Sequence, residues 1–299
     1  MRGAGTRLLL ICVVAASPLA TTNPGATSAA QTVTADLIQI IDTSRFSPPS
    51  PDPAGLALLP SGDLLMSDSE VDEMPALFEG KNLFQVTTDG RLVGRFKTTR
   101  FSSEPAGLEV TETRLLVADD DRGRVFIARK GKDGKFGTRD DDVRSINTRL
   151  FGSRDPEGLA LGGEFLFISD GKTATVYRLS PGPNGVLDGV APQGDDRVRW
   201  FDAGSIGQPD PEGLEYDPAS GTLFIVSNRR NSSISETTIR GRLVTTIDTA
   251  EIGLHSPSGL ALAPASTDPS VYHLYIADRG VDNGADPKEN DGRIFEIAF

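Results

Sequence analysis

The sequence is poor in the residues that build thiol and imidazole sites. Among 299 residues there is one cysteine, Cys12, and there are two histidines. Because the residues after Cys12 contain no cysteine, they can form neither a disulfide nor a thiolate metal site, and they offer no cysteine nucleophile. A zinc site of the usual cysteine and histidine type is therefore not expected.

Basic residues are also few. The chain carries 30 lysines and arginines against 42 aspartates and glutamates, a formal net charge of −12. Such a surface repels nucleic-acid phosphates and anionic lipids, and no basic stretch with interleaved aromatics counters this. We expect no nucleic-acid and no membrane partner. The acidic surface suits cations or basic partners instead.

No hydrophobic run is long enough to span a bilayer. The one of note, residues 8–16, follows Arg2 and Arg7 and precedes small residues, which is typical of a secretory signal. Cleavage fits after Ala16 or after Ala30, and we prefer Ala30. We therefore predict a signal peptide over 1–30, a single domain over 31–299, a secreted or periplasmic location, and a monomer.

A Pro-x-Gly-Leu sequence occurs five times at spacings of 46 to 55 residues. This period is typical of a propeller blade made of four short strands and their turns. The five copies lie at residues 53–56, 105–108, 156–159, 211–214 and 257–260.

Each repeat has the same internal order. The motif leads into a short strand and a turn, followed by an apolar run that ends in a small residue and Asp or Asn. These apolar runs are typical of strands buried on both faces. A third strand and a more polar fourth strand follow. The acids and amide that end the apolar runs are Asp68, Asp119, Asp170, Asn228 and Asp278.

The sequence thus predicts an all-β propeller of five four-stranded antiparallel blades. The fifth repeat lacks a fourth strand, and residues 37–43 match residues 243–249, a fourth strand, nearly position for position. We expect this N-terminal strand to close the last blade, so that no blade is left at an open end. Six blades with one degenerate blade would also fit the length. Because no strand set is unassigned, five is preferred.

In a blade with alternating strands, the start of the first strand and the end of the second lie on one face. The Pro-x-Gly segments and strand-end acids therefore surround one channel mouth. A further ring consists of Asp52, Glu104, Asp155, Asp210 and Ser256, which precede the prolines. Carboxylates about 4 Å apart repel by roughly 4 kcal/mol at an effective dielectric near 20. A proton or a cation must relieve this repulsion, and oxygen ligands favour Ca²⁺ or Mg²⁺.

The rings are asymmetric, which singles out candidate site residues. The variable residue of the motif is glutamate only at Glu157 and Glu212, in neighbouring repeats. Asp170, Asn228 and His255 are expected at the same mouth and complete the candidate set. The competing interpretation is architectural, because an aspartate at a strand end commonly caps a turn.

The Pro-Glu-Gly-Leu and Ser-Asp motifs resemble those of the NHL-repeat and senescence-marker/gluconolactonase group of propellers. The resemblance implies a divalent cation, Ca²⁺ rather than Mg²⁺, with Glu157 or Glu212, Asp170 and Asn228 as its ligands. It also implies lactone or ester hydrolysis, for which Asp170, Glu212 or His255 is the candidate base. The alternative is a non-catalytic module that presents the mouth to a protein, glycan or small ligand.

Overall fold

The computed structural model describes residues 30–228, 233–281 and 288–299. The predicted signal peptide, up to residue 29, and Cys12 lie outside the described residues. The strands in chain order are β1 (Gln31–Thr34), β2 (Asp36–Asp42), β3 (Pro53–Leu58), β4 (Leu64–Asp68), β5 (Leu83–Val86), β6 (Leu92–Phe96), β7 (Leu108–Val110), β8 (Arg114–Asp119), β9 (Arg124–Arg129), β10 (Asp142–Asn147), β11 (Pro156–Gly162), β12 (Phe165–Asp170), β13 (Thr175–Ser180), β14 (Arg197–Asp202), β15 (Pro211–Asp217), β16 (Thr222–Ser227), β17 (Ser233–Thr238), β18 (Leu243–Asp248), β19 (Pro257–Pro264), β20 (Tyr272–Asp278) and β21 (Arg293–Ala298).

The helical segments of the described residues are short 3₁₀ turns. They span Thr43–Arg45, Val71–Glu73, Thr148–Phe151 and Gly204–Ile206. Among the described residues, no helix has the length and apolar character needed to cross a membrane.

The strands form five antiparallel sheets, the blades. Blades 1 to 4 consist of β3–β6, β7–β10, β11–β14 and β15–β18, and blade 5 consists of β19, β20, β21 and β2. The first strands contact one another in the order β3, β7, β11, β15, β19 and back to β3. The ring of five blades is confirmed, and the six-bladed alternative is wrong.

The N-terminal segment joins two blades. As predicted, β2 closes blade 5 by pairing antiparallel with β21, with Asp42 opposite Arg293. Ahead of it, β1 adds a fifth, parallel strand to blade 4, with Gln31 opposite Thr245. Between the two strands, the side chain of Ala35 is buried in the apolar core between blades 4 and 5. Only the β2 pairing was expected from the sequence.

The motif glycines pack around the propeller axis. A Cβ atom at any of the five would lie 2.1 to 2.4 Å from the backbone oxygen of the variable motif residue in the next blade, a distance that real Cβ atoms do not adopt. Because the first strands approach so closely, the cavity they leave on the axis is about 10 Å³, room for roughly one water molecule. The axis is therefore closed rather than an open pore. These glycines are Gly55, Gly107, Gly158, Gly213 and Gly259.

The small residue before the strand-end acid links neighbouring blades. Ser67 Oγ accepts a hydrogen bond from Gly55 N at 2.8 Å and donates one to Ala106 O of blade 2 at 2.8 Å. Ser169 makes the equivalent bonds to Gly158 N at 2.7 Å and to Glu212 O of blade 4 at 3.2 Å. These serine hydroxyls thereby supply hydrogen-bond partners to backbone N–H and C=O groups of the motif residues at the axis.

Apolar contacts between blade faces form the rest of the core. One cluster joins Leu116 and Ile127 of blade 2 to Leu159, Ile168 and Leu179 of blade 3, and all five are buried. Similar clusters lie at the other blade interfaces. The second strands are buried on both faces, as their unbroken apolar runs predicted.

Candidate cation site at the acidic mouth

The start of each first strand and the end of each second strand meet at one face. Pro156 pairs with Asp170 in blade 3, and Pro53 pairs with Asp68 in blade 1. We call this end of the axis the acidic mouth. It is the face that the sequence predicted for the candidate residues.

The strand-end aspartates hold the turns that follow them. Both oxygens of the fully buried Asp170 are used: Oδ2 accepts from Arg154 N at 2.8 Å and Asp155 N at 3.1 Å, and Oδ1 accepts from Thr173 N at 2.8 Å and Thr173 Oγ1 at 2.8 Å. Asp170 thus fixes the backbone that presents Asp155 at the mouth. Its proposed roles as a metal ligand and a base stay predictions.

The same arrangement recurs in other blades. Asp68 accepts from Ser50 Oγ at 2.6 Å and Val71 N at 2.7 Å. Asp278 accepts from His255 N at 2.6 Å and Gly280 N at 2.8 Å. The repetition of these bonds accounts for the repetition of the residue, in line with the architectural interpretation.

Three other carboxylates converge at the mouth. Asp120 directly follows the strand-end residue of blade 2, Asp155 precedes β11, and Glu157 lies within β11. One oxygen from each lies within 4.8 Å of the others, and Asp155 and Glu157 are buried. Ligands bound to one calcium ion at about 2.4 Å can be at most roughly 4.8 Å apart. The three oxygens therefore match the span of a shared divalent cation.

Burial and mutual repulsion disfavour negative charge here. Burial, then repulsion by Glu212 and Asp120, raises the pKa of Glu157 well above its ordinary value. Burial also raises the pKa of Asp120. Burial and the nearby Asp120 raise the pKa of Glu104 to about 9. A proton or a bound cation relieves this penalty.

Arg279 lies among these acids. Its Nη2 is 3.3 Å from Oε2 of Glu212, and the side chain is 13% exposed. Burial opposes the positive charge, but attraction to Glu212 and Glu157 outweighs it and raises the pKa of the guanidinium. In turn, burial raises the pKa of Glu212 to about 7, with Arg279 limiting the rise.

Sequence reasoning missed Arg279 and the role of Asp120, although one signal was present. Both occupy the position immediately after the strand-end acid of their repeats. The equivalent residues in blades 1 and 3 are Ser69 and Gly171. Across the five repeats this position holds Ser69, Asp120, Gly171, Arg229 and Arg279, so comparing it would have singled out one acid and two arginines.

Gly171 leaves space beside the acids. A Cβ there would lie 3.1 Å from Asp210 Oδ1 and 3.3 Å from Asp155 Oδ2. The next residue, Lys172, forms an ion pair with Asp155, and its side chain is 71% exposed. This lysine therefore marks the outer rim of the mouth.

The remaining predicted site residues, Asn228 and His255, lie at the same face. Asn228 is half-buried, and its backbone N–H donates to Asp210 O at 3.1 Å. His255 is exposed, and its Nδ1 donates to the carbonyl oxygen of Gly280 at 2.5 Å. The structure brings Glu157 and Glu212 together with Arg279. The metal role of Asn228 and the base role of His255 stay predictions.

A second acidic cluster lies on the opposite face, in the loop between β13 and β14. It consists of Asp188, Asp195 and Asp196. Asp196 Oδ2 accepts from Gly189 N at 2.7 Å and Asp188 N at 3.0 Å. These carboxylates build the loop by binding its own backbone N–H groups.

No protein-family model and no curated protein matches the sequence. Solved structures do. A glutaminyl cyclase from Myxococcus xanthus is 14% identical over 90% of this chain and 98% of its own, with a TM-score of 0.54. The PQQ-bound aldose sugar dehydrogenase from Streptomyces coelicolor is 15% identical over 88% of this chain and 97% of its own, with a TM-score of 0.50.

The chain is a β-propeller. At these identities the likeness concerns the fold alone. It supports the propeller fold in general rather than the NHL or gluconolactonase group that the motifs resemble.

Proposed function

We propose that the acidic mouth binds a divalent cation, Ca²⁺ in preference to Mg²⁺, and serves the hydrolysis of a lactone or ester outside the cytoplasm. The observation that carries the proposal is the convergence of Asp120, Asp155 and Glu157, whose oxygens lie within 4.8 Å of one another. The ligand type supports the choice of ion, because oxygen donors without nitrogen or sulfur suit hard cations.

The residues fit a cation chemically. Asp120 and Glu157 have raised pKa values because burial and neighbouring acids disfavour their charge. A bound cation would offset that penalty. Side chains contributed by two blades suit the adaptable coordination of Ca²⁺ better than the near-octahedral demand of Mg²⁺. When bound, the ion would polarise a carbonyl oxygen and orient water.

The protein's own residues supply the remaining requirements for hydrolysis. Glu212, with a pKa of about 7, would accept a proton from water at neutral pH. Arg279 holds Glu212 through its guanidinium and would stabilise negative charge that develops on the substrate oxygen. Because the axis below is closed by the motif glycines, substrate would enter and product would leave through the mouth.

One observation favours a non-catalytic binding module instead. Arg279 already places a fixed positive charge beside Glu212 and Glu157, so part of the acidic mouth is balanced without a metal. In such a module the rigid rim would contact a protein, glycan or small ligand. We retain this as the second candidate.

A hydrolysis assay distinguishes the two candidates. Mature wild-type protein, Glu212→Gln and the control Glu251→Gln would be tested with five- and six-membered lactones and aryl esters, in Ca²⁺ and in EDTA. Glu251 is an exposed glutamate at the same face. We expect turnover in Ca²⁺ only, with Glu212→Gln slower by about 10²- to 10⁴-fold and the control unchanged.

Unchanged turnover in EDTA would refute the metal-assisted mechanism. Ca²⁺ binding without hydrolysis of any compound would favour the binding module. If Glu212→Gln retained full activity, Glu212 would not be the base.

A further inference from the structure

The residue that follows the Pro-x-Gly-Leu motif differs between repeats, as the variable residue within the motif does. The residue after each Pro-x-Gly-Leu motif is alanine in three repeats: Ala57, Ala160 and Ala261, all buried. In the other two repeats it is Glu109 and Glu215. A small apolar side chain suits a first strand packed around the axis, so these glutamates are not required by the fold.

Both glutamates lie toward the end of the axis opposite the acidic mouth, because the first strands run away from that mouth. Glu109 Oε2 accepts a hydrogen bond from Leu161 N of blade 3 at 2.8 Å, and Oε1 accepts one from Val110 N at 2.8 Å. Glu215 accepts one from the backbone of Leu262 in blade 5. The two carboxyl groups thus reach across blade interfaces and are held by backbone donors.

The two carboxyl groups interact with each other. Burial raises the pKa of Glu109 to about 7. Burial, then repulsion by Glu109, raises the pKa of Glu215 well above its ordinary value. Two carboxyl groups that repel each other in a partly buried site do not both ionise readily without a countercharge.

The pair lies in the wall of a cavity of about 910 Å³. This volume is within the range of sites that hold drug-sized molecules. Four aromatic residues, Tyr216, Phe224, Tyr272 and Phe299, also line it. Phe224 and Phe299 pack edge to face with ring centroids 5.6 Å apart.

The position of Tyr216 depends on a glycine. Its ring stacks on Phe167 with centroids 6.3 Å apart. A Cβ on Gly162 would lie 2.6 Å from the Tyr216 ring, so Gly162 makes room for it. The aromatic wall is therefore held in place by the packing beneath it.

The charges around the cavity are negative. Asp217 and Glu236 line it together with the glutamate pair, and none of the described lining residues is lysine or arginine. Glu236 accepts from Thr222 Oγ1 at 2.8 Å. His273 also lines the cavity, but its Nδ1 pairs with the buried Glu296 at 2.7 Å. The described lining thus offers no fixed cation to Glu109 and Glu215.

We propose that this cavity binds a small organic amine, whose ammonium group donates to Glu109 and Glu215 while its apolar body packs against the aromatic wall. A protonated amine supplies the countercharge that the described lining does not give to the half-buried glutamate pair, and charge-assisted hydrogen bonds are about twice as strong as neutral ones. The site is separate from the acidic mouth, because the closed axis lies between them.

Calorimetric titration at pH 8 with two probes of nearly the same shape tests the proposal. One is 1-naphthylmethylamine, which is protonated, and the other is 1-naphthalenemethanol, which is neutral. We expect wild type to bind the amine about ten-fold more tightly than the alcohol, or better. Because Glu109, with a pKa of about 7, takes up a proton between pH 8 and pH 6, this preference should shrink at pH 6.

Variants locate the effect. Glu109→Gln/Glu215→Gln should bind both probes equally, whereas Glu164→Gln, which changes an exposed glutamate after β11, should keep the amine preference. If wild type bound neither probe, or bound both equally, the proposal would be wrong. It would also be wrong if the preference survived in the double variant. The wild-type comparison stands even if the double variant does not fold.

Discussion

The raised pKa of Glu212 predicts that the protein loses stability as the pH rises. Glu212 has an ordinary pKa of 4.5, which burial raises to about 7 in the folded protein. Between these values the folded state binds a proton that the unfolded state has released. The stabilising effect is therefore complete below pH 4.5 and is lost as the pH rises to 7.

The magnitude follows from the two pKa values. Each pH unit between them changes the free energy of unfolding by about 1.4 kcal/mol per proton. For Glu212 the loss is about 3 kcal/mol, a substantial part of the stability of an ordinary domain. Glu212→Gln cannot ionise, so this contribution to the pH dependence disappears.

Urea denaturation at pH 5, 6, 7 and 8 in EDTA would measure the effect. Relative to wild type, Glu212→Gln should gain about 3 kcal/mol between pH 5 and pH 8, because the wild type weakens and the variant does not. The exposed Glu251→Gln should follow the wild type. Parallel curves for wild type and Glu212→Gln would show that the pKa of Glu212 is not raised in the folded protein.

Three further predictions concern the ring and its mouth. Gly107→Ala would place a Cβ 2.1 Å from Glu157 O and should lower the free energy of unfolding, measured by urea denaturation, by roughly 3 kcal/mol or more. The control Gly204→Ala, whose Cβ meets nothing nearer than 3.1 Å, should lower it far less. Arg279→Met leaves Glu212 without its guanidinium and should cost about 3 kcal/mol of unfolding free energy at pH 8. At pH 5, where Glu212 with its pKa of about 7 is protonated, the cost should be smaller, and equal losses at the two pH values would contradict this. Deleting residues 30–44 removes β1 and β2, so the truncated protein should lose cooperative thermal unfolding. A peptide of that sequence should partly restore it. A truncated protein that melts like wild type would contradict the closure of blade 5 by β2.

The fold could be predicted because the strongest packing constraint repeats in the sequence. The close approach at the axis requires glycine in every blade, which makes the motif visible five times. The closing strand β2 was found because its sequence matches that of β18. No such guide exists for β1, whose four residues have no counterpart in the other repeats and pair in parallel at the outer edge of a blade.

The candidate site was only partly predictable. Glu157 and Glu212 lie together at the mouth, where their departure from the repeat pattern placed them. Both carboxylate oxygens of Asp170 accept hydrogen bonds from backbone N–H groups of the neighbouring turns. Which N–H groups point at a carboxylate depends on the backbone conformation of a turn, and the residue types alone do not reveal it. Arg279 was not predicted because an arginine is not a metal ligand, although it follows Asp278 in its repeat as Asp120 follows Asp119.

Thermal unfolding in EDTA, Mg²⁺ and Ca²⁺ tests the central proposal, a cation site at the acidic mouth, most directly. Wild type would be compared with Asp120→Asn/Glu157→Gln, which removes two of the three converging carboxylates. A cation that binds the folded state raises the melting temperature with the logarithm of its concentration. We expect wild type to respond to Ca²⁺ more than to Mg²⁺ and the double variant to lose the response. A wild type that ignores both ions, or a double variant that responds fully, would contradict a cation site at the mouth.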